Sequence, residues 1–245
     1  MAIVWQQTID GTCYEVRSAG QTRRLYTDGV FHSQYHPARN LAGGIWDLLW
    51  LPALFNSHDR IRRVLVLGVG GGTVINQLLR HVQPEEIIGV ELNHVHLQVA
   101  RRFFGVSKKV ATLVQADAVQ WMKNYSGPSF DMIIDDLFGE ENGEPVRAVT
   151  ANSAWCRLLL RHLDPAGMLV MNFIGVGELG ESACLAIPGI AQRFRSVYRL
   201  SLPGYENAIG VFARPRLSLR EINKNISSLP GDIKGKTGYR IRRIK

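Results

Sequence analysis

Four carboxylates and one run of glycines carry the chemistry that this sequence offers. The glycines are Gly68, Gly70, Gly71 and Gly72, in the stretch Val64-Leu65-Val66-Leu67-Gly68-Val69-Gly70-Gly71-Gly72. Glycine there lets the chain turn tightly and lets a ligand come close to bare backbone. A helical pattern with Val74, Leu78 and Leu79 follows at once, and the free N–H groups of its first turn point back at the loop. The carboxylates are Glu91, Asp117 and the neighbours Asp135 and Asp136. Glu91 ends the apolar run Ile87-Ile88-Gly89-Val90, and an acidic side chain there can accept both hydroxyl hydrogens of a ribose. Loop and carboxylate together read as a nucleoside site.

The elements that must position these residues follow from the hydrophobic pattern. Residues 64–67 are apolar without a break, as in a strand buried on both faces of a parallel sheet. Val110–Val114 reads as a third strand, with Asp117-Ala118 just beyond it. Phe130–Ile134 reads as a fourth strand that runs straight into Asp135-Asp136. The third glycine of a G-x-G-x-x-G dinucleotide pattern falls on Thr73, which disfavours close packing around a pyrophosphate. Acidic groups after strands one removed from the ribose carboxylate suit adenine recognition and chemistry at an exposed carbon. That layout fits an S-adenosylmethionine-type ligand better than NAD; a NAD enzyme and an empty scaffold are the competing readings.

From Arg62 onward strands alternate with helices, which predicts a parallel sheet covered on both faces. Strand Met168–Phe173 continues the series, Pro188-Gly189 must break a helical pattern over Glu178–Phe194, and Ser196–Leu200 with Ala208–Ala213 close the sheet. The expected fold is α/β: a Rossmann-like, seven-stranded sheet of the class I methyltransferase type, mostly parallel, with a C-terminal antiparallel pair. Ahead of it, Asp10-Gly11 and Asp28-Gly29 mark turns between short strands, so residues 1–39 read as a small antiparallel β domain. Residues 40–59 read as one apolar helix and a linker, 60–213 as the nucleoside-binding domain and 214–245 as a basic C-terminal tail.

Composition narrows the classes. The apolar share of 46% and charged share of 20% over 245 residues describe an ordinary globular chain. There is no apolar run of the roughly eighteen residues a membrane span needs, and no basic-then-apolar start, so a cytoplasmic location is expected. Cys13, Cys156 and Cys184 stand far apart in sequence, which suits a reducing compartment and gives no metal-ligand spacing. No metal is expected. Residues 214–245 hold ten Lys/Arg against two Asp/Glu and so account for the whole net charge of +8. That tail reads as a solvated extension, with weak contact to polyanions as its functional alternative.

The chain resembles the spermidine synthase (polyamine aminopropyltransferase) family from about Leu25 to Ala213, as a divergent member. The carriers are Leu25-Tyr26-Thr27-Asp28-Gly29, Val64–Gly72 with Glu91, Asp117-Ala118, Phe130–Asp136 and Tyr205–Phe212. The resemblance implies a small β domain before a Rossmann-like one, a homodimer, and decarboxylated S-adenosylmethionine as the alkyl donor, leaving methylthioadenosine. By resemblance the cofactor contacts are Gly68, Gly70, Gly71, Gly72, Glu91 on the ribose, Asp117 and Ala118 at the adenine, and Asp135. Asp136 would be the catalytic aspartate, with Tyr205, Glu140 and His32 on the substrate side and putrescine or a similar amine as acceptor.

The departures from that pattern keep other readings open. Gly71 stands where the family has an aspartate for the cofactor's amine, Gly139 where it has a second aspartate, and Gly44-Ile45-Trp46 where it has Tyr-x-Glu. His32 replaces a glutamine, and Glu140, Glu141 and Glu144 either supply a missing acidic contact or form a solvated loop. A carboxylate such as Asp136 can take the proton from an amine while an alkyl group leaves sulfur; its bland alternative is a helix cap or a water-binding group. An S-adenosylmethionine-dependent methyltransferase, yielding S-adenosylhomocysteine, is the second reading, and a non-catalytic nucleoside- or partner-binding module the third.

Overall fold

A computed structural model describes residues 1–56, 60–141, 144–228 and 238–245, leaving out the side chains of Glu140, Glu141 and Glu144. Four strands open the chain, β1 (Ala2–Ile9), β2 (Thr12–Ala19), β3 (Thr22–Thr27) and β4 (Val30–Tyr35), paired antiparallel in chain order. Asp10-Gly11 and Asp28-Gly29 form the expected hairpin turns, each with two successive residues at positive φ (50° and 82°; 46° and 84°). Tyr14, Val16 and Leu25 on one face of this sheet pack against Val95, Val99 and Phe104 of the main domain. The small sheet is therefore docked by a shared core.

The helix expected from Asn40 begins later. Gly43 and Gly44, at φ 79° and 156°, hold the chain out of helical geometry, and α1 spans Trp46–Trp50 only. A 3₁₀ turn, Leu51–Phe55, continues it, with Pro52 at its start where no N–H is needed. Both pieces are buried throughout.

The main domain then alternates as the apolar pattern requires: β5 (Arg63–Leu67), α2 (Thr73–His81), β6 (Glu86–Glu91), α3 (His94–Phe103), β7 (Thr112–Gln115), α4 (Ala118–Asn124) and β8 (Phe130–Asp135). A hairpin, β9 (Phe138–Glu141) and β10 (Glu144–Arg147), leads to α5 (Ser153–His162) and β11 (Leu163–Phe173). Three short helices follow, α6 (Val176–Glu181), α7 (Ala183–Ala186) and α8 (Pro188–Ala191), then β12 (Ser196–Ser201), β13 (Ala208–Ala213), α9 (Leu219–Ser227) and β14 (Arg240–Arg243). In space the strands run β14-β12-β13-β11-β8-β5-β6-β7. The five from β11 to β7 are parallel, and β12, β13 and β14 add antiparallel pairs. The chain leaves β5 first towards β6 and β7 and returns to β8, so the strand order reverses between β5 and β8. Open α/β sheets keep their ligands beyond the strand ends at such a point.

The structure corrects three expectations. Among the described residues the sheet has eight strands, because β14 pairs with β12 from Tyr198↔Arg243 to Ser201↔Arg240. Residues 214–228 and 238–245 are accordingly no loose tail. Ser218 caps α9 by accepting from the Glu221 N–H at 3.1 Å, and Ile222 and Ile226 are buried in the core that includes Leu54 and Phe55. The Glu178–Phe194 helix is broken at Ser182 as well as at Pro188. Cys156 and Cys184, remote in sequence, are buried free thiols with their sulfurs 3.1 Å apart. No described helix is long and apolar enough to cross a membrane.

Candidate active site

The glycine turn joins β5 to α2, and its conformation explains its composition. Gly68, Gly70 and Gly72 lie at φ 84°, 52° and 85°, where side chains are strained. At Gly68 a Cβ would also sit 2.2 Å from the Asp136 carbonyl oxygen, so this glycine lets the end of β8 pass against the turn. The Asp136 N–H donates to the Leu67 carbonyl at 2.9 Å, which fixes that crossing. Thr73 buries its hydroxyl against β4, accepting from the Gln34 N–H (3.1 Å) and donating to the Gln34 carbonyl (3.0 Å). The Gly71 N–H donates to Ser33 Oγ at 2.7 Å. The threonine that breaks the dinucleotide pattern thus ties the glycine loop to the small sheet.

Glu91 closes one rim of the cleft. Its Oε2 accepts from the Val69 and Gly70 N–H groups at 3.0 and 2.9 Å, and its Oε1 from the Asn93 N–H at 2.9 Å. Three backbone donors hold the carboxylate rigid, and Oε1 keeps capacity for a ligand hydroxyl. Asn93 caps α3 through the Val95 N–H (2.9 Å) and donates to the Tyr14 hydroxyl (2.9 Å). His96 stands with Nδ1 3.9 Å from Glu91 Oε1 and Nε2 2.9 Å from Thr27 Oγ1, and the His32 ring lies 4.9 Å from it. Burial pushes both imidazoles down to about 4, for His32 with help from neighbouring His96, so both are neutral at pH 7. His32, expected beside the acceptor, stands on this glycine-loop rim. Asp117 is exposed and caps α4, accepting from the Gln120 N–H at 2.8 Å through Oδ1; Ala118 is buried behind it.

The two adjacent aspartates at the end of β8 part company. Asp135 turns inward with no exposed surface, its Oδ2 accepting from Arg147 Nη2 (2.9 Å) and Trp155 Nε1 (2.8 Å). Expected as a cofactor contact, it instead anchors the β9–β10 hairpin through Arg147, whose guanidinium also donates to the Val149 and Asn172 carbonyls. Asp136 turns to the cleft and keeps some solvent contact. Burial, with Asp135 and Glu91 nearby, pushes its carboxyl up to about 6 against the opposing hydrogen bond from Asn172. Asn172 Nδ2 donates to Asp136 Oδ1 at 2.8 Å, and Asn207 Nδ2 donates to Asn172 Oδ1 at 3.0 Å. Among the described residues Asp136 Oδ2 accepts no hydrogen bond. The helix-cap alternative for Asp136 does not apply, since the element that follows it is strand β9.

Tyr205, 42% exposed, lies on the β12–β13 connection that also carries Asn207. Its hydroxyl reaches the Gly44 turn, where a Cβ would stand 3.2 Å away. Asp47 pins that turn, accepting from the Ala42 and Gly43 N–H groups at 2.9 and 2.8 Å. The two glycines that stand for family aspartates differ in space. A side chain at Gly71 would meet Ser33 Cβ at 2.8 Å and the Phe104 ring at 2.9 Å, whereas nothing lies within 4 Å of one at Gly139. The Glu140 side chain lies outside the described residues. Asn172, Asn207 and Arg147 escaped the sequence reading because neutral amides and a lone arginine carry no spacing signal. Among the described residues no group of His, Cys, Asp and Glu could hold a metal ion.

Residues 51–173, half of the chain, match the spermine/spermidine synthase domain model. The chain belongs to that family. It is 30% identical over 60% of its length to the polyamine aminopropyltransferase of Pyrococcus abyssi and spans 55% of that relative's length. It spans 63% of the corresponding protein of Aeropyrum pernix, at 24% identity over 80% of its own residues. Among solved structures, a probable spermidine synthase from Corynebacterium glutamicum superposes with a TM-score of 0.76 at 17% identity, covering 99% of this chain and 91% of that one. The family's methyltransferase-like fold is therefore the fold described above.

Proposed function

We propose that this protein transfers an aminopropyl group from decarboxylated S-adenosylmethionine to an amine acceptor of the putrescine type, with Asp136 as the base. The observation that carries this reading is the state of Asp136: a carboxyl at the end of a buried strand, one oxygen held by Asn172, the other uncommitted, and a pKa of about 6. The residues present fit an adenosyl ligand. Glu91 Oε1 would take a ribose hydroxyl, the Asp117 oxygen not used in capping would take the adenine amino group, and Gly68–Gly72 leave backbone open to approach. When bound, the cofactor supplies an electrophilic carbon next to a sulfonium.

The chain's own residues do the rest. An aliphatic amine has a lysine-like pKa of about 10.4, so it arrives as an ammonium. Asp136 Oδ2 accepts its proton, freeing the nitrogen lone pair for attack on the carbon as the carbon–sulfur bond breaks; the proton ends on the carboxyl and the electron pair on sulfur. Holding amine and carbon in line is the remaining contribution, and the Tyr205 loop and the β9–β10 hairpin flank the Asp136 rim where that occurs. A protonated Asp136 cannot serve, so activity falls as the pH drops through about 6.

One observation favours a second reading. Ser33 and Phe104 fill the space at Gly71, so no acidic side chain there can select the free amine of the decarboxylated cofactor. A methyltransferase would use the same base and the carboxylated cofactor. The deciding assay offers putrescine with each cofactor in turn. Spermidine and methylthioadenosine support aminopropyl transfer; a methylated amine and S-adenosylhomocysteine support the second reading; no product from a broad amine panel removes both.

A further inference from the structure

We infer that Asn207 and Asn172 form a relay that selects Oδ2 of Asp136 as the proton-accepting oxygen and keeps that carboxyl ionised near neutral pH. The inference rests on the reading of Asp136 as the base and adds two positioning residues to it.

Each group's place in the relay is fixed by what it can donate or accept. A carboxylate only accepts, so the Asn172 group 2.8 Å from Asp136 Oδ1 must be its NH2. The Asn172 carbonyl then faces Asn207 at 3.0 Å and requires a donor, which the Asn207 NH2 supplies. Turning the Asn172 amide over would set its oxygen against the carboxylate and its NH2 against the Asn207 NH2, two repulsive contacts. The orientation is therefore fixed by the chain of demands. Asn172 is buried, 4% exposed on β11, so water does not easily replace either bond.

The relay has two consequences for Asp136. Oδ1 is occupied, which leaves Oδ2 as the free acceptor. The donated hydrogen bond also favours the charged form, against burial and against the other carboxylates near it. Those neighbours are Asp135 on β8, compensated by Arg147 of β10, and Glu91 on β6; the turn after β5 brings Gly68 against Asp136, and β11 brings Asn172. Without the amide, nothing but Arg147 lowers the Asp136 pKa. Asn207 places the outer end of this device on the loop that bears Tyr205, 35 residues from Asn172's own position and on a different element.

The test reads Asp136 directly, by its carboxyl ¹³C shift against pH in the unliganded protein, assigned by its loss in Asp136→Asn. Asn172→Leu removes the donor and should raise the Asp136 pKa by about one unit or more. Asn207→Asp is isosteric and half-exposed, so it should fold. An acceptor at 207 forces Asn172 to donate outward and to set its oxygen against Asp136, and the Asp136 pKa should again rise by at least about one unit. The acid limb of kcat/KM for spermidine formation should move up with it in both variants, while a purely structural role would lower activity at every pH alike. If Asp136 titrates within about 0.3 unit of its wild-type value in both folded variants, the relay is wrong. Shifts of the expected size in a protein that makes no spermidine would support the relay and remove the aminopropyl reading instead.

Discussion

The two rims of the cleft are built on different principles. On the glycine rim, a carboxylate is held by backbone: Glu91 takes the Val69, Gly70 and Asn93 N–H groups, all within 22 residues of it. On the other rim, a carboxylate is held by side chains from distant strands: Asp136 by Asn172, 36 residues on, and Asn172 by Asn207, 35 residues further. Histidines near the first rim are pushed down to about 4 by burial, and the carboxyl of the second is pushed up to about 6 by the same cause. Burial keeps each group closer to its neutral form. The first rim thus presents an acceptor fixed by backbone, and the second a carboxyl whose affinity for a proton is set by buried side chains.

The strongest way to break this comparison is to neutralise the second rim. Asp136→Asn keeps the shape and removes the base, so turnover should fall by roughly 10²–10⁴-fold while adenosyl binding holds. Calorimetry with methylthioadenosine beside steady-state assays separates the two effects, and full activity in the variant would end the assignment. Next in size is the support beneath that rim. Arg147→Met leaves Asp135 charged and enclosed, and should cost about 3–5 kcal/mol of stability in urea unfolding. Adding Asp135→Asn should recover most of that loss, since the buried charge is then gone.

The first rim answers to a different measurement. Glu91→Gln leaves loop N–H groups without a charged acceptor and should weaken methylthioadenosine binding by about 1.5–3 kcal/mol, with the acid limb of activity moving slightly down because a charge that raises the Asp136 pKa is lost. Acid then sets the rims against each other. His32 and His96 fold with pKa values of about 4, below their ordinary 6.5, so their contribution is complete above pH 6.5 and lost as pH falls through about 4. Asp136 folds with a raised pKa, so its contribution is present below 3.8 and lost as pH rises through about 6. Between pH 4 and 6 two protons oppose one among these three groups, whose net contribution to stability should fall on acidification by ~1.4 kcal/mol per pH unit. His96→Gln should flatten that slope. The smallest effect belongs to Gly139→Ala, expected within about 0.5 kcal/mol because the added methyl meets nothing within 4 Å. The same methyl at Gly71 runs into Ser33 and Phe104, and thermal melts of the pair should differ accordingly.

Sequence by itself determined what depends on short-range pattern. Apolar runs gave the parallel strands β5, β6 and β8, Asp-Gly pairs gave the hairpins, and glycines before an amphipathic helix with a strand-end glutamate gave the glycine rim. Even the break at Pro188 was legible. The C-terminal segment was partly so: Ser218 and Glu221 form a capping pair, and Ile222 and Ile226 share one helix face, yet ten basic residues masked both signals. Only the tertiary structure decided which of Asp135 and Asp136 faces the cleft. Neighbours on a strand point to opposite faces, and what lies on each face is set by Arg147 and Trp155 on one side and Asn172 on the other. It also decided that Gly71 has no room for an acid while Gly139 has, because Ser33 and Phe104 come from elements remote in the chain. A residue's type and spacing state what it can donate or accept; its partners, and with them its charge, depend on which distant side chains the fold brings within about 3 Å.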